Sequence, residues 1–247
     1  MNIIKIGLCG SNGRMGKAIA ESINQKADKF KLCATFNSSN NDSDLLEFCH
    51  QSELIIDFSN ANNLKKLTQA AMDSKRRLVV GTTGLLAQDF EYLKALSEHV
   101  AVLYTANTSI GANLVAMLAA KAATILAEYD IEIIEAHHKY KKDAPSGTAL
   151  MIGQRISKAL GTDFEQNIIF DCLNKGARQV GEIGFSSIRA GGITGEHEVL
   201  FADENELVTI GCRALSRGAF ADGALFAARW LSDKKPGFYS MQDVLSL

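Results

Sequence analysis

The chain has 247 residues, 22% of them charged, with 26 basic residues against 28 acidic and a formal net charge of −2. That length holds one large domain or two small ones with a real core, and the near-neutral charge favours neither nucleic acid nor an anionic membrane as a partner. No apolar run reaches the roughly 18 residues of a membrane span, and the first residues lead straight into a strand pattern, so no secretory leader is expected and a cytoplasmic protein is.

The first strand, Ile3 to Cys9, meets the turn Gly10-Ser11-Asn12-Gly13-Arg14-Met15-Gly16, and a helix is expected from Lys17 to about Lys26. Strand, glycine-rich turn and helix in that order seat a dinucleotide pyrophosphate on a helix N-terminus. The glycine spacing is displaced from the usual Gly-x-Gly-x-x-Gly, with Asn12 at the usual second glycine, a residue type that tolerates left-handed geometry. Gly10, Ser11, Asn12, Gly13, Arg14 and Met15 are therefore candidate cofactor contacts, with a plain tight βα turn as the alternative. A second strand, Phe30 to Phe36, ends at Asn37, where NAD-specific folds often carry Asp or Glu for the ribose 2′-hydroxyl. Asn37 neither repels nor attracts a 2′-phosphate and Arg14 is the nearest cation, so NADH or NADPH is expected with weak discrimination.

Strands at Leu54 to Ser59, Leu78 to Gly84 and Val100 to Tyr104 alternate with helices at about Asn62 to Ser74 and Gln88 to Ser97. Strand exits on one edge of a parallel sheet are where ligands bind, and Gly81, Thr82 and Thr83 fit beside a nicotinamide, a simple turn being the alternative. Five β-units alternating with helices predict a Rossmann-type doubly wound parallel sheet. From Ile110 to about Tyr129 an Ala-, Leu- and Met-rich helix links the halves, its methionine and alanines read as packing.

Next come Ile133-Ile134-Glu135-Ala136-His137-His138-Lys139-Tyr140-Lys141-Lys142-Asp143-Ala144-Pro145-Ser146-Gly147-Thr148. A β-prone run enters paired histidines, then lysines, a turn, and a cap that opens a helical pattern. Successive strand residues point to opposite faces, so His137 and His138 have different roles while the strand lasts. Lys141 can fold back as a point charge or proton source. Ser146, Gly147 and Thr148 sit at a helix start whose backbone N–H groups can seat a carboxylate or phosphate. The loop reads as a site for an anionic substrate.

Strands at Asn167 to Cys172, Glu182 to Arg189, Glu196 to Phe201 and Glu206 to Cys212 suit an antiparallel or mixed sheet, and so a smaller second α+β domain. Helices on one face of that sheet leave the other needing a partner, so self-association is expected. His197 reads as structural rather than as a proton donor. The five cysteines, Cys9, Cys33, Cys49, Cys172 and Cys212, are widely spaced, which argues against disulfides and a zinc site; no metal is expected.

The loop resembles the Glu-x-His-His-x-x-Lys-x-Asp-Ala-Pro-Ser-Gly-Thr motif of the 4-hydroxy-tetrahydrodipicolinate (dihydrodipicolinate) reductase family. The Gly-x-x-Gly-x-Met-Gly turn, Asp-Phe-Ser, Gly-Thr-Thr-Gly, Asn-x-Ser-x-Gly and Arg-x-Gly-x-x-x-Gly-Glu-His recur in that family in the same order, so the resemblance spans the chain. It implies reduction of a cyclic dicarboxylate with NADH or NADPH in lysine (diaminopimelate) biosynthesis. His137 would be the general acid and Lys141 a second proton donor, with His138, Ser146, Gly147 and Thr148 at the substrate. Thr105, Ala106, Asn107 and Thr108 would meet the cofactor. The resemblance further implies a homotetramer, a dinucleotide-binding domain of residues 1–108 and 218–247, and a substrate-binding and tetramerisation domain of residues 109–217, with hinges near Ser109 and Arg217. Thr108 stands where the family commonly has a bulky apolar residue, and the loop after the second strand is short for the family. The competing readings are a sugar or aldehyde dehydrogenase and an NADH-sensing regulator without turnover.

Overall fold

The computed structural model describes residues 2–170 and 177–246, and the chain divides into two compact units, Met1–Ile110 with Arg217–Leu247, and Gly111–Ser216. The first unit opens with β1 (Ile4–Cys9), α1 (Arg14–Gln25), β2 (Phe30–Phe36), α2 (Leu45–His50), β3 (Leu54–Asp57), α3 (Leu64–Ser74), β4 (Arg77–Val80), α4 (Ala87–Ser97) and β5 (Ala101–Tyr104). Helix α5 (Ile110–Ile125) leads into β6 (Asp130–His137), α6 (Gly147–Leu160), α7 (Phe164–Asn167), β7 (Ile168–Ile169), β8 (Ile183–Arg189), β9 (Glu196–Ala202) and β10 (Leu207–Arg213). The chain then returns to the first unit through α8 (Gly218–Leu231), β11 (Gly237–Tyr239) and α9 (Met241–Leu245).

In the first unit the sheet order is β11-β5-β4-β3-β1-β2, and every pairing is parallel. Apart from Lys5, Asp57 and Arg77, the residues of its central strands β1, β3 and β4 are Ile, Leu, Val, Gly and Cys, as covering on both faces requires. Ile4, Ile6 and Leu8 of β1 pack with Ile19 and Ile23 of α1 and Leu225 of α8, while Ile55, Leu78 and Val80 meet Leu67 of α3 and Leu93 of α4 on the other side. With β2 on one flank of β1 and β3 on the other, the winding reverses there, the place where open parallel sheets of this kind bind ligands at the carboxyl ends of their strands. The doubly wound Rossmann-type reading holds.

Several local expectations are corrected. Helix α1 begins at Arg14, so Gly16 lies in its first turn. Gly10 takes the left-handed conformation, at φ +82°, and Asn12, two residues on, does not. A short helical turn at Ala61–Asn63, capped by Asn60 Oδ1 accepting from the Asn62 N–H, delays α3 to Leu64. The strand expected over Asn167 to Cys172 is confined to Ile168–Ile169, and Asp171 and Cys172 lie outside the described residues. Strand β11 was not anticipated: three residues around an aromatic carry no alternation to read, and their partner β5 supplies the register.

In the second unit the order is β10-β9-β6-β8-β7, with β6 antiparallel to β9 and parallel to β8, the mixed sheet expected. Val115, Ala116 and Ala119 of α5 and Ile152 and Ile156 of α6 cover Ile131, Ile133, Val199 and Phe201 on one face. Strand period decides which other side chains reach that face. Glu135 and His137 share the parity of Ile131 and Ile133 and so point to the helix side, whereas Ile134, Ala136 and Ile188 turn to the other face, where Ile188 is 49% exposed.

Candidate active site

The carboxyl end of β6 and the start of α6 bring the second unit's chemistry together. Ser146 caps α6, its Oγ accepting from the Ala149 N–H at 3.2 Å. Nothing lies within 4 Å of where a Cβ on Gly147 would be, so the first helical turn is open to a ligand. Beneath it lies Glu135, with a fully buried side chain. Its Oε2 accepts from His137 Nδ1 at 2.6 Å and from Arg189 Nη1 at 2.8 Å. Its Oε1 accepts from Arg189 Nη2 at 2.5 Å, Ser187 Oγ at 2.7 Å and the Ser146 N–H at 3.2 Å. The sheet register sets this up, because β8 places Ser187 opposite Glu135 and Arg189 opposite His137, and β9 places His197 opposite Glu135.

The loop between β6 and α6 is tied to the same frame. Arg189 Nη2 donates to the Asp143 carbonyl at 2.7 Å, and the Lys139 N–H donates to the Gly191 carbonyl at 3.2 Å. Lys141 Nζ is held by both oxygens of Asp143, at 2.9 and 2.8 Å. His138 Nδ1 is buried without a hydrogen-bond partner among the described residues, a polar atom that a ligand would satisfy. The His137 and His197 rings meet edge to face with centroids 5.2 Å apart, and His197 Nε2 lies 3.0 Å from Ser146 Oγ. Ser146 thus has both its hydroxyl and its N–H engaged inside the fold, and the open part of the seat lies at Gly147.

Burial alone would raise the Glu135 carboxyl, but hydrogen bonds from Arg189, Ser187 and His137 outweigh it and hold the group down at about 2. Glu135 is therefore an anion that only accepts. Burial lowers His137 below its ordinary value, and the positive charges of Lys141 and Arg189 add to that, against the hydrogen bond and charge of Glu135. Burial, reinforced by His137, takes His197 down to about 4, so it is neutral at physiological pH. The hydrogen bond from Lys141 keeps Asp143 below the usual carboxylate range.

In the first unit the other expected residues gather at the exits of β1, β2, β4 and β5. A Cβ on Gly10 would overlap the Phe58 carbonyl, and one on Gly16 would overlap the Gly10 carbonyl. The turn is thus folded tightly between β3 and α1. Gly13 is the N-cap of α1 in extended conformation, and among the described residues no side chain caps the helix. The first-turn N–H groups are left for an anion, which fits a dinucleotide pyrophosphate. Asn12, Gly13 and Arg14 are exposed around this end and Met15 packs toward the core. Asn37 Nδ2 reaches Ser11 Oγ at 3.4 Å, and Asn37 Oδ1 accepts from the Ser39 N–H at 3.0 Å.

Gly81 carries the Phe58 ring where its Cβ would be. Thr82 Oγ1 donates to Asp57 Oδ2 at 2.6 Å, and Thr83 is exposed. Thr105 Oγ1 donates to the Asn107 carbonyl at 2.7 Å, Asn107 Oδ1 accepts from the Ser109 N–H at 2.8 Å, and Ala106 is exposed. Thr108 is 2% exposed, its hydroxyl donating to the Phe220 carbonyl of α8 at 2.7 Å. Like Ser146, Thr82 and Thr108 use their hydroxyls within the fold. Among the described residues no cluster of metal-ligand type is present, and no helix is long and apolar enough to cross a membrane.

Sequence reasoning assigned no role to Glu135, Ser187, Arg189 or Asp57. The signal was present for Glu135: a carboxylate at a strand position whose parity matches Ile131 and Ile133 must be buried, and a buried carboxylate needs donors. The partners on β8 required the register, which the sequence does not carry.

The family pattern described as "Dihydrodipicolinate reductase, N-terminus" matches residues 4–108, and "Dihydrodipicolinate reductase, C-terminus" matches residues 111–245. The chain is 46% identical over 248 residues to a 4-hydroxy-tetrahydrodipicolinate reductase from Rickettsia rickettsii, covering 99% of this chain and 100% of that one. It is 43% identical over 251 residues to the enzyme of the same name from Zymomonas mobilis, covering 99% and 98%. Among solved structures, the dipicolinate-bound dihydrodipicolinate reductase from Paenisporosarcina sp. TG-14 superposes with a TM-score of 0.79 at 23% identity, covering 98% of this chain and 99% of that one.

Proposed function

The chain belongs to the dihydrodipicolinate reductase family, and from that premise we infer its activity: NAD(P)H-dependent reduction of 4-hydroxy-tetrahydrodipicolinate to tetrahydrodipicolinate in lysine biosynthesis. The reaction consumes one hydride and one proton and releases water. The observation that carries the residue assignment is the Glu135–His137 contact beside the open first turn of α6, a proton donor next to a seat for an anion.

The dinucleotide supplies the hydride when bound. Residues 1–108 and 218–247 hold it: the uncapped start of α1 takes the pyrophosphate, with Gly10 to Met15 around it, and Gly81 to Thr83 and Thr105 to Thr108 flank the nicotinamide end. Asn37 offers neither charge to a 2′-phosphate, which supports use of NADH or NADPH. Residues 109–217 hold the substrate. The backbone of Gly147 and Thr148 seats one carboxylate, and the orphaned His138 Nδ1 supports a contact to a second polar group. His137 donates the proton, since imidazole loses it near neutral pH. Lys141, already paired with a carboxylate, exchanges Asp143 for the substrate and assists.

A homotetramer in the cytoplasm is the assembly and location we assign, with the second sheet's outward face, carrying Ile134, Ala136 and Ile188, as the contact. Sedimentation velocity at micromolar concentration should return four chains; a monomer overturns the assembly. The activity is tested by generating the condensation product of pyruvate and aspartate semialdehyde in the cuvette and following NADH and NADPH absorbance. Loss of absorbance with both nucleotides is expected. No loss with either, while the purified chain binds NADH, overturns the reductase reading.

A further inference from the structure

Glu135 lies on the helix-covered face of β6, in line with Ile131 and Ile133, with five hydrogen-bond donors among the described residues and its side chain sealed from solvent. Because Arg189 neutralises it through a two-pronged ion pair, the carboxylate has no need of a proton and can only accept. His137 Nδ1, 2.6 Å away, must therefore carry a hydrogen. On the far side of the ring, Nε2 has no hydrogen-bond partner among the described residues. A Cβ on Gly195 would come within 3.2 Å of Nε2, so the absence of a side chain there keeps that nitrogen clear.

We propose that Glu135, clamped by Arg189 and Ser187, is the positioning residue of this site: it fixes the His137 ring with Nδ1–H directed at the carboxylate, so that the proton is delivered only from Nε2. This rests on the reductase reading, in which His137 is the donor. A freely rotating imidazole would divide its neutral form between two tautomers and present the wrong nitrogen part of the time. The clamp removes that choice before substrate arrives. It also gives the imidazolium a fixed negative neighbour, set against the charges of Arg189 and Lys141 and the neutral ring of His197, the other titratable groups around His137.

The test combines nitrogen NMR with kinetics on the intact chain. In protein carrying 15N-histidine at pH 8, His137 should show a protonated Nδ1 and an unprotonated Nε2; the opposite tautomer overturns the proposal. In Glu135→Gln the amide can donate to Nδ1 instead, so the tautomer should invert and kcat should fall by roughly 10²-fold or more. The KM for the cyclic dicarboxylate should stay within about threefold, because the α6 seat is untouched. The descending limb of the pH profile should move to lower pH, since the imidazolium loses its anion. Glu135→Asp should restore part of kcat. Wild-type kcat and pH profile in Glu135→Gln overturn the proposal. Should that variant not fold, Ser187→Ala removes one clamp donor and keeps the ion pair. A fall in kcat at constant KM then supports the proposal, and an unchanged kcat together with an unchanged NMR spectrum overturns it. No turnover by the native protein overturns the reductase reading instead, and the tautomer of His137 still decides the claim about Glu135.

Discussion

Ser146 Oγ lies 3.0 Å from His197 Nε2, and both side chains are buried. The same oxygen caps α6 by accepting from the Ala149 N–H. Replacing Ser146 with Ala removes a cap, a loss of about 1 kcal/mol, and leaves a buried ring nitrogen unpaired, a further cost of about 1–3 kcal/mol. Urea denaturation should show the midpoint of Ser146→Ala well below that of the native chain. An unchanged midpoint would mean that this contact contributes nothing.

His197 also sets a pH dependence. Its ordinary value of 6.5 falls to about 4 in the fold, through burial and the nearby His137. Between those values the unfolded chain binds a proton that the folded chain refuses, so stability is full above pH 6.5 and declines as pH falls toward 4. Glu135 acts lower, its stabilisation being lost as pH drops from 4.5 toward 2. Melting temperatures followed from pH 7 to pH 4 should fall in the native protein and fall less steeply in His197→Asn.

His137→Gln should lower kcat by about 10²–10⁴-fold, the usual worth of a general acid. Because burial holds free His137 below its ordinary value, the log of kcat/KM in the native enzyme should decline as pH rises, and the decline should begin on the acid side of the usual imidazole range. Steady-state kinetics across pH 5 to 8 would show it, and a flat profile would point to another donor.

Lys141→Ala should cut kcat and raise the KM for substrate while leaving the dissociation constant of NADH as it was. The lysine belongs to the second unit and pairs there with Asp143, whereas the uncapped helix start belongs to the first. Fluorescence titration of the variant with NADH separates the two effects.

Gly16→Ala presses a methyl into the Gly10 carbonyl, which is backbone and has little room to yield. Overpacking of this kind costs about 1–3 kcal/mol. The turn that must open is the one assigned to the pyrophosphate, so NADH affinity should fall along with the melting temperature. Gly147→Ala, with open space around it, should leave the melting temperature unchanged.

Most of the architecture was legible because strand and helix periods differ and because β1, β3 and β4 are apolar but for Lys5, Asp57 and Arg77. Short elements escaped: β11 has three residues and is fixed by pairing with β5. The paired histidines, Lys141 and the cap at Ser146 stood out because they are neighbours in sequence. Arg189 lies 54 residues from Glu135, and only the parallel pairing of β6 with β8 makes them neighbours. Asn12 tolerates left-handed geometry but does not use it, the positive φ of this turn falling at Gly10.

The pairing of β6 with both β8 and β9 has a kinetic corollary. A slip by a single residue along β6 would swing Glu135 and His137 to the outward face and drive Ile134 and Ala136 against α5 and α6. Partial pairing therefore yields no partial catalyst, and during refolding the return of turnover should lag the appearance of sheet signal until both neighbours have docked in their final alignment.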